Sequence, residues 1–132
     1  MPLRVMRAGV ILAVADLERS LAFYRDTMSF EVEAVYDDPP YATLACAGTR
    51  VSLAEQGHSA EDRPGVEMVA PPDPSALSAI LVMEVGDCLA AFRRLLNAGV
   101  EFLAEPYSPP WGGYRCFALD PDRNLIELEQ PA

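Results

Sequence analysis

The same order of predicted elements occurs twice along this chain, and such a repeat leaves few folds open to it. Residues 5–14 form an apolar run followed by Asp16 and a predicted helix, and residues 79–85 form another run followed by Asp87 and a second helix. Aspartate favours the N-cap of a helix because its carboxylate accepts hydrogen bonds from the free N–H groups of the first turn. Three further strands are predicted after each helix, so each half is arranged as strand–helix–strand–strand–strand.

The first half is predicted to contain a helix over 17–27, a strand over 30–36 and a hairpin formed by 41–47 and 50–55. A proline-rich polar linker follows over residues 57–77, with a short added strand expected near its middle, at 66–69. Alternation along the 30–36 strand predicts that its acidic residues share one face and its apolar residues share the other. The acidic residues are Glu31 and Glu33, and the apolar ones are Phe30, Val32, Ala34 and Tyr36.

The second half is predicted to end its helix at Gly99, because glycine is favoured just after the last helical turn. A strand over 100–104 and a loop over 106–113 come next. The closing hairpin turns at residues 120–124, where Pro121 and its polar neighbours suit a tight turn. Glu127 follows on the last strand, on the face opposite Ile126 and Leu128.

The charge and cysteine content limit the possible partners. The net charge is −10, and all ten basic residues are arginines. Such a surface repels nucleic acid and anionic lipid and attracts metal or organic cations, although the same charge also serves solubility alone. Cys46, Cys88 and Cys116 are too widely spaced for a zinc motif or a disulfide framework, so we expect buried thiols in a cytoplasmic protein. We expect no nucleic-acid partner and no membrane partner.

Two segments carry a family resemblance that extends over almost the whole chain. Residues 14–26 (VADLERSLAFYRD) and 120–128 (DPDRNLIEL) resemble the vicinal-oxygen-chelate superfamily of glyoxalases, bleomycin-resistance proteins and extradiol dioxygenases. The resemblance implies an α+β fold in which two βαβββ repeats form a cup-shaped curved sheet with helices on the outer face. It implies one domain, 1–132, with repeats of about 5–56 and 78–131. Arg123 stands where the family usually has glycine, so we expect a strained or altered turn there.

The same resemblance assigns four positions to metal ligands. In this chain those positions hold Gly9, Ser52, Ile80 and Glu127, and of these side chains only Glu127 is a ligand of the family's type. A catalytic metal site normally needs three or more protein ligands. The chain's one histidine, His58, lies in the linker and is expected to be a surface residue. We therefore expect no metal and no other cofactor.

Residues that would line the cup form the candidate ligand site. If Gly9 faces inward, alternation places Ile11 and Ala13 beside it, and the matching strands add small, apolar and charged residues. The candidate ligand-binding residues are Trp111, Glu127, Glu84, Ser52, Arg50, Ile80, Gly9 and Tyr41. Apolar walls with a few polar groups suit a small-molecule pocket. One alternative is that Arg50 pairs with Glu127 or Glu84 and partly fills the cup.

Trp111, the sole tryptophan, lies in a Pro-Pro-Trp-Gly-Gly loop that resembles bleomycin-resistance proteins. From this loop it would stack on a planar ligand, or alternatively pack on the neighbouring half. No nucleophile, phosphate loop or dinucleotide motif is present, so the catalytic residues are unknown. The favoured hypothesis is a homodimeric, metal-free protein that binds a small cationic or aromatic molecule such as an antibiotic. The alternative is a lyase, isomerase or dioxygenase with an atypical metal site using Glu127.

Overall fold

The computed structural model describes residues 1–132, which divide into two compact units, Met1–Pro72 and Asp73–Ala132. Each unit contains one four-stranded sheet and one α-helix between its first and second strands. Two βαβββ modules are therefore present, as the repeat in the sequence predicts, and the α+β class is confirmed. Neither α-helix is long and apolar enough to cross a membrane.

The first unit orders its strands β1-β4-β3-β2, with β1 parallel to β4 and the other neighbours antiparallel. Its elements are β1 (Gly9–Val14), α1 (Leu17–Ala22), a π-helical segment (Phe23–Thr27), β2 (Glu31–Asp37), β3 (Pro40–Cys46) and β4 (Thr49–Glu55). The second unit has the order β5-β8-β7-β6, again with its first and last strands parallel. Its elements are β5 (Leu81–Glu84), α2 (Cys88–Asn97), β6 (Glu101–Phe102), β7 (Tyr114–Leu119) and β8 (Leu125–Gln130).

Both helices begin at the predicted aspartates. The Asp16 carboxylate accepts a hydrogen bond from the Arg19 backbone N–H at 3.1 Å, and Asp87 accepts one from the Ala90 N–H at 3.0 Å. After α2, Gly99 has a φ of +91°, a conformation that glycine adopts without steric cost. The N-caps and the helix end thus follow local sequence chemistry.

The core of the first unit lies between its sheet and the helical segment. Val14, Tyr24, Leu44 and Leu53 are each fully buried. Alternation along β4 buries Val51 and Leu53 on the helix side, and Arg50 on the other face is exposed. Burying one such aliphatic side chain contributes about 1.5–3 kcal/mol, so the helix-facing side of the sheet supplies most of the stability.

Three local expectations are wrong. β1 begins at Gly9, so the apolar residues before it are exposed and lie outside the strand. No strand forms at 66–69. A β-bulge between Val32 and Ala34 breaks the alternation of β2, so Val32 pairs with Leu44 on the core side and Ala34 pairs with Thr43 on the opposite face.

The cysteines are free thiols, as expected, but they differ in burial. Cys88 and Cys116 are buried with their Sγ atoms 3.7 Å apart, and Cys46 is only partly buried. Burial raises the pKa of the Cys116 thiol to about 12, and burial also raises the pKa of Cys88. Because the thiolate is the reactive form, the Cys88–Cys116 pair is chemically quiet.

The turn between β7 and β8 depends on one buried carboxylate. Asp120 is 4% exposed, and its Oδ1 accepts hydrogen bonds from the backbone N–H groups of Asp122 and Asn124 at 2.9 and 2.8 Å. Its Oδ2 accepts a third bond from Asn124 Nδ2 at 3.0 Å. Arg123 has a φ of +66°, so the turn requires the conformation that the family's glycine would supply.

We expect Asp120→Ala to lower the free energy of unfolding by about 2–4 kcal/mol, because it leaves buried N–H groups without their charged acceptor. Asp120→Asn keeps an oxygen that accepts from the two backbone N–H groups and should lose roughly half as much. Urea unfolding followed by far-ultraviolet circular dichroism measures both values. Equal stability of Asp120→Ala and wild type would contradict this account of the turn.

Candidate functional site

The face of the first sheet that points away from α1 carries four of the candidate residues. In the strand register Gly9 lies beside Arg50, Ile11 beside Ser52, and Ala54 between Ala13 and Tyr41. Since Val51 and Leu53 point into the core, alternation places Arg50, Ser52 and Ala54 on the opposite face, where Ser52 is nevertheless 1% exposed. Gly9, Arg50, Ser52 and Tyr41 are therefore brought together, as the sequence predicts for one wall of a pocket.

A cavity of about 440 Å³ lies on this face, and we call it the arginine cavity. Its lining residues are Met6, Arg7, Ala8, Gly9, Val10, Ile11, Tyr41, Arg50 and Ser52. A volume of this size lies within the usual range for small-molecule sites. Arg7 and the residues next to it are unexpected in this wall, because the sequence predicts that they belong to an unbroken first strand.

Two guanidinium groups share one carboxylate at the arginine cavity. Arg7 donates to the two carboxylate oxygens of Glu33 at 3.0 and 2.6 Å, and Arg50 Nε lies 3.5 Å from Glu33 Oε1. The hydrogen bonds from Arg7 lower the pKa of Glu33, and the charges of both arginines act in the same direction. Arg50 therefore pairs with Glu33, whereas the sequence suggests Glu127 or Glu84 as its partner. Glu33 lies at the β2 bulge, on the face to which alternation assigns the acidic residues of this strand.

A second cavity of about 230 Å³ lies between the same sheet and the segment that follows β4, and we call it the histidine cavity. Its lining residues are Ile11, Pro39, Pro40, Tyr41, Ala54, Glu55, His58, Ser59, Ala60, Asp62, Arg63 and Met68. Ile11 and Tyr41 line both cavities, so the two are neighbours on one face.

His58 is exposed, as expected of a linker residue, but its side chain contacts the end of a strand. Its Nε2 lies 3.3 Å from Glu55 Oε1 at the end of β4, and Glu55 Oε2 accepts a hydrogen bond from the backbone N–H of Leu17 at 3.0 Å. The first turn of α1 thus fixes the carboxylate, and the carboxylate in turn orients the imidazole. The three-residue spacing of Glu55 and His58 was the available sequence signal.

In the second unit Trp111 stacks on an arginine of its own module. The Arg115 guanidinium carbon lies 5.1 Å from the centre of the Trp111 ring and 5.3 Å from that of Phe117. Arg115 Nη1 lies 3.6 Å from Glu127 Oε1. Trp111 and Glu127 therefore meet through Arg115, a residue that the sequence patterns do not single out. Trp111 remains 66% exposed, so a second surface of its ring is free for contact.

Glu84 and Ile80 lie on the first strand of the second module or next to it. Ile80 directly precedes β5 and is 43% exposed, and Glu84 is the exposed last residue of β5. The register partner of Glu127 is Val82, and Glu84 lies opposite Glu129. Both residues are accessible, but Val82 separates them along the strand.

The residues at the family's ligand positions do not fit a divalent metal. A Cβ on Gly9 would lie 2.8 Å from Arg50 Cβ and still closer to the Arg50 carbonyl oxygen, so position 9 has no room for a ligand side chain. Ile80 has no donor atom, and Glu127 is engaged by Arg115. No group of three or more His, Cys, Asp and Glu side chains is close enough to hold a metal ion. At these positions only Glu127 therefore offers a ligand of the family's type.

Solved structures share this fold at low sequence identity. A glyoxalase/bleomycin resistance protein/dioxygenase from Nocardioides has a TM-score of 0.79 at 22% identity, covering 98% of this chain and 85% of that one. TnmS3, an antibiotic binding protein from Streptomyces sp. CB03234, has a TM-score of 0.76 at 23% identity, with both chains fully covered. Lactoylglutathione lyase from Agrobacterium tumefaciens has a TM-score of 0.74 at 18% identity, covering 98% and 94%.

One curated relative is closer in sequence. The ethylmalonyl-CoA/methylmalonyl-CoA epimerase of Cereibacter sphaeroides is 32% identical over 129 residues, covering 92% of this chain and 94% of the relative. The family model described as Glyoxalase/Bleomycin resistance protein/Dioxygenase superfamily matches residues 6–128. Since that match spans both modules, the chain belongs to the Glyoxalase/Bleomycin resistance protein/Dioxygenase superfamily.

Proposed function

We propose that this chain is a metal-free binding protein that sequesters a small cationic or aromatic molecule, such as an antibiotic. The observation that carries the proposal is the close contact of Gly9 with Arg50, which leaves no space for a metal ligand at that position. A superfamily fold without its metal ligands still offers an open sheet face with cavities. Binding without chemistry is the simplest use of that surface.

The composition of the open face supports an aromatic ligand more strongly than a cationic one. Tyr41 lines both cavities, and its ring lies 6.2 Å from that of Tyr36. At the arginine cavity, the guanidinium groups of Arg7 and Arg50 outnumber the one carboxylate of Glu33. Their net positive charge disfavours binding of a cation. The net charge of −10 favours cations instead, because it attracts them toward the protein from a longer distance.

The second unit has an exposed aromatic ring of its own, that of Trp111. Arg115 covers the tryptophan on one side, so a planar ligand either uses the exposed surface of the ring or displaces the guanidinium. A cationic ligand that displaced Arg115 would take over its contact with Glu127. Ring stacking and cation–π contact are each worth about 0.5–2 kcal/mol.

We expect a titration of proflavine or bleomycin to quench the fluorescence of Trp111, the sole tryptophan. By calorimetry, Trp111→Ala should bind about tenfold more weakly, and Trp111→Phe, which keeps a ring, should lose less. The anionic control 2-naphthalenesulfonate should bind more weakly than the cations. Tighter binding of the anion, or unchanged affinity in Trp111→Ala, would refute the role given to this residue.

An enzyme of the same superfamily is the second candidate, and the 32% identity to an epimerase favours it. In that case Glu127 would be the one family-position ligand of an atypical metal site, or Glu127 and Glu84 would transfer protons. Glu127 is mostly buried, with a side chain 13% exposed, and Arg115 already contacts its carboxylate at 3.6 Å.

Metal analysis with a paired activity assay separates the two candidates. Protein purified without chelator should contain well under one transition metal per chain, because Gly9 and Ile80 supply no ligand. It should not epimerise methylmalonyl-CoA or ethylmalonyl-CoA, with or without added divalent metal. About one metal per chain, together with turnover that both chelation and Glu127→Gln abolish, would establish the enzyme instead.

We also propose that the chain forms a homodimer. Large apolar side chains before and within β1 are exposed, and β1 is an edge strand of its sheet. These side chains are Leu3, Val5, Met6 and Ile11. Light scattering at micromolar concentration should give the mass of two 14.4 kDa chains, and Met6→Glu with Ile11→Glu should reduce it. A wild-type mass of one chain would contradict this assembly.

A further inference from the structure

We propose that the histidine cavity is a subsite for an aromatic ring bearing a hydrogen-bond donor, with a phenol as the simplest case. The inference rests on the proposed binding function and specifies which ring substituent is recognised. It is carried by residues to which the sequence patterns assign no binding role: His58, Glu55 and the segment between Ser59 and Met68. None of these residues occupies a family ligand position.

The Glu55–His58 contact determines which hydrogen-bonding atom the imidazole offers. A carboxylate can only accept, and Glu55 Oε1 lies 3.3 Å from His58 Nε2. In neutral His58 the proton is therefore on Nε2, facing Glu55, and Nδ1 keeps its lone pair. An acceptor at Nδ1 selects a ligand that donates, such as a phenolic O–H.

The walls of the cavity agree with a donor-bearing ring. Ile11, Pro40 and Met68 give it apolar sides, and Asp62 adds another acceptor. Arg63 also lines it, but Arg63 Nη1 donates to the Val66 carbonyl oxygen, so its guanidinium is held by the backbone of its own segment. At about 230 Å³ the cavity has the size of a single substituted ring, below the usual range for a whole drug-sized ligand.

The histidine cavity does not have to hold the entire ligand. Ile11 and Tyr41 also line the arginine cavity, so a ring seated near His58 has a path to the larger neighbouring space. A ligand that fills both would place its donor-bearing ring at His58 and its remaining part near Ser52 and Arg50. The histidine cavity would thus determine the orientation of the ligand, and the arginine cavity would limit its size.

The preference for a phenol over its methyl ether depends on the lone pair at Nδ1. The phenolic O–H donates to that lone pair, and the methyl ether has no proton to donate.

The experiment compares phenol, anisole and benzoate as fragment probes of the full-length protein. Because His58 is the only histidine, its ring C–H signals in proton NMR report this cavity without ambiguity. Affinities come from the backbone amide shifts of Ile11 and Tyr41, which can be followed in every variant. At pH 8 phenol should shift the His58 signals and bind about fivefold more tightly than anisole, with benzoate weakest.

Two variants make the test specific. His58→Phe keeps a ring of similar shape and should bind phenol and anisole equally, with its amide spectrum confirming the fold. Glu61→Gln removes an exposed charge from the same segment without lining the cavity, so it should retain the preference. Equal affinity of phenol and anisole for wild type, no binding of phenol, or an unchanged preference in His58→Phe would overturn the subsite.

The outcome also separates this inference from the proposed function. If cationic aromatics bind in a Trp111-dependent manner and never perturb His58, the binding function stands and the subsite is wrong. If phenol binds through His58 but no larger aromatic compound binds at all, the subsite stands and the sequestering function is wrong.

Discussion

Each module has one α-helix, which covers only one of the two faces of its sheet. The candidate site in the first unit lies on the uncovered face. In the first unit, α1 and the π-helical segment cover the side that carries Leu44, Val51 and Leu53. The opposite face keeps Arg50 and Tyr41 accessible and forms two cavities. Because burial on the helix side already supplies the core, side chains on the open face are free to vary with function. The same argument explains why the fold is shared among relatives with different activities.

The sequence predicts well what depends on near neighbours along the chain. The alternation of β4, the two aspartate N-caps and the turn at Asp120 involve residues within a few positions of each other, and all are present as expected. The positive φ of Arg123 could be anticipated because a single backbone conformation fits that turn. These features need only the local rules of helix and turn formation.

The sequence fails where contacts join distant segments. The Arg7–Glu33 pair spans 26 residues and joins the segment before β1 to the middle of β2. Arg115 is inconspicuous in the sequence, yet it contacts Trp111, Phe117 and Glu127 because β7, β8 and the preceding loop converge. The linker position of His58 correctly indicates an exposed residue, but it does not indicate the contact with Glu55, which the start of α1 holds in place. Each miss concerns a side chain whose partner is set by tertiary structure, and each one lies at the candidate site.

These contacts also affect the balance between the net charge of the chain and the local charges that a ligand would meet. The net charge of −10 is spread over the surface, and salt screens exposed charges beyond about 8–10 Å, so it mainly affects the approach of a ligand. For a bound ligand, the charged groups close to it determine the electrostatic contribution to affinity. Both Glu33 and Glu127 already have arginine partners. A cation would have to compete with Arg115 or Arg50 for those carboxylates, whereas a neutral ring with a donor faces no such competition near His58. In the proposed binding function, shape and hydrogen-bond pattern would therefore select the ligand more strongly than the overall charge of the chain does.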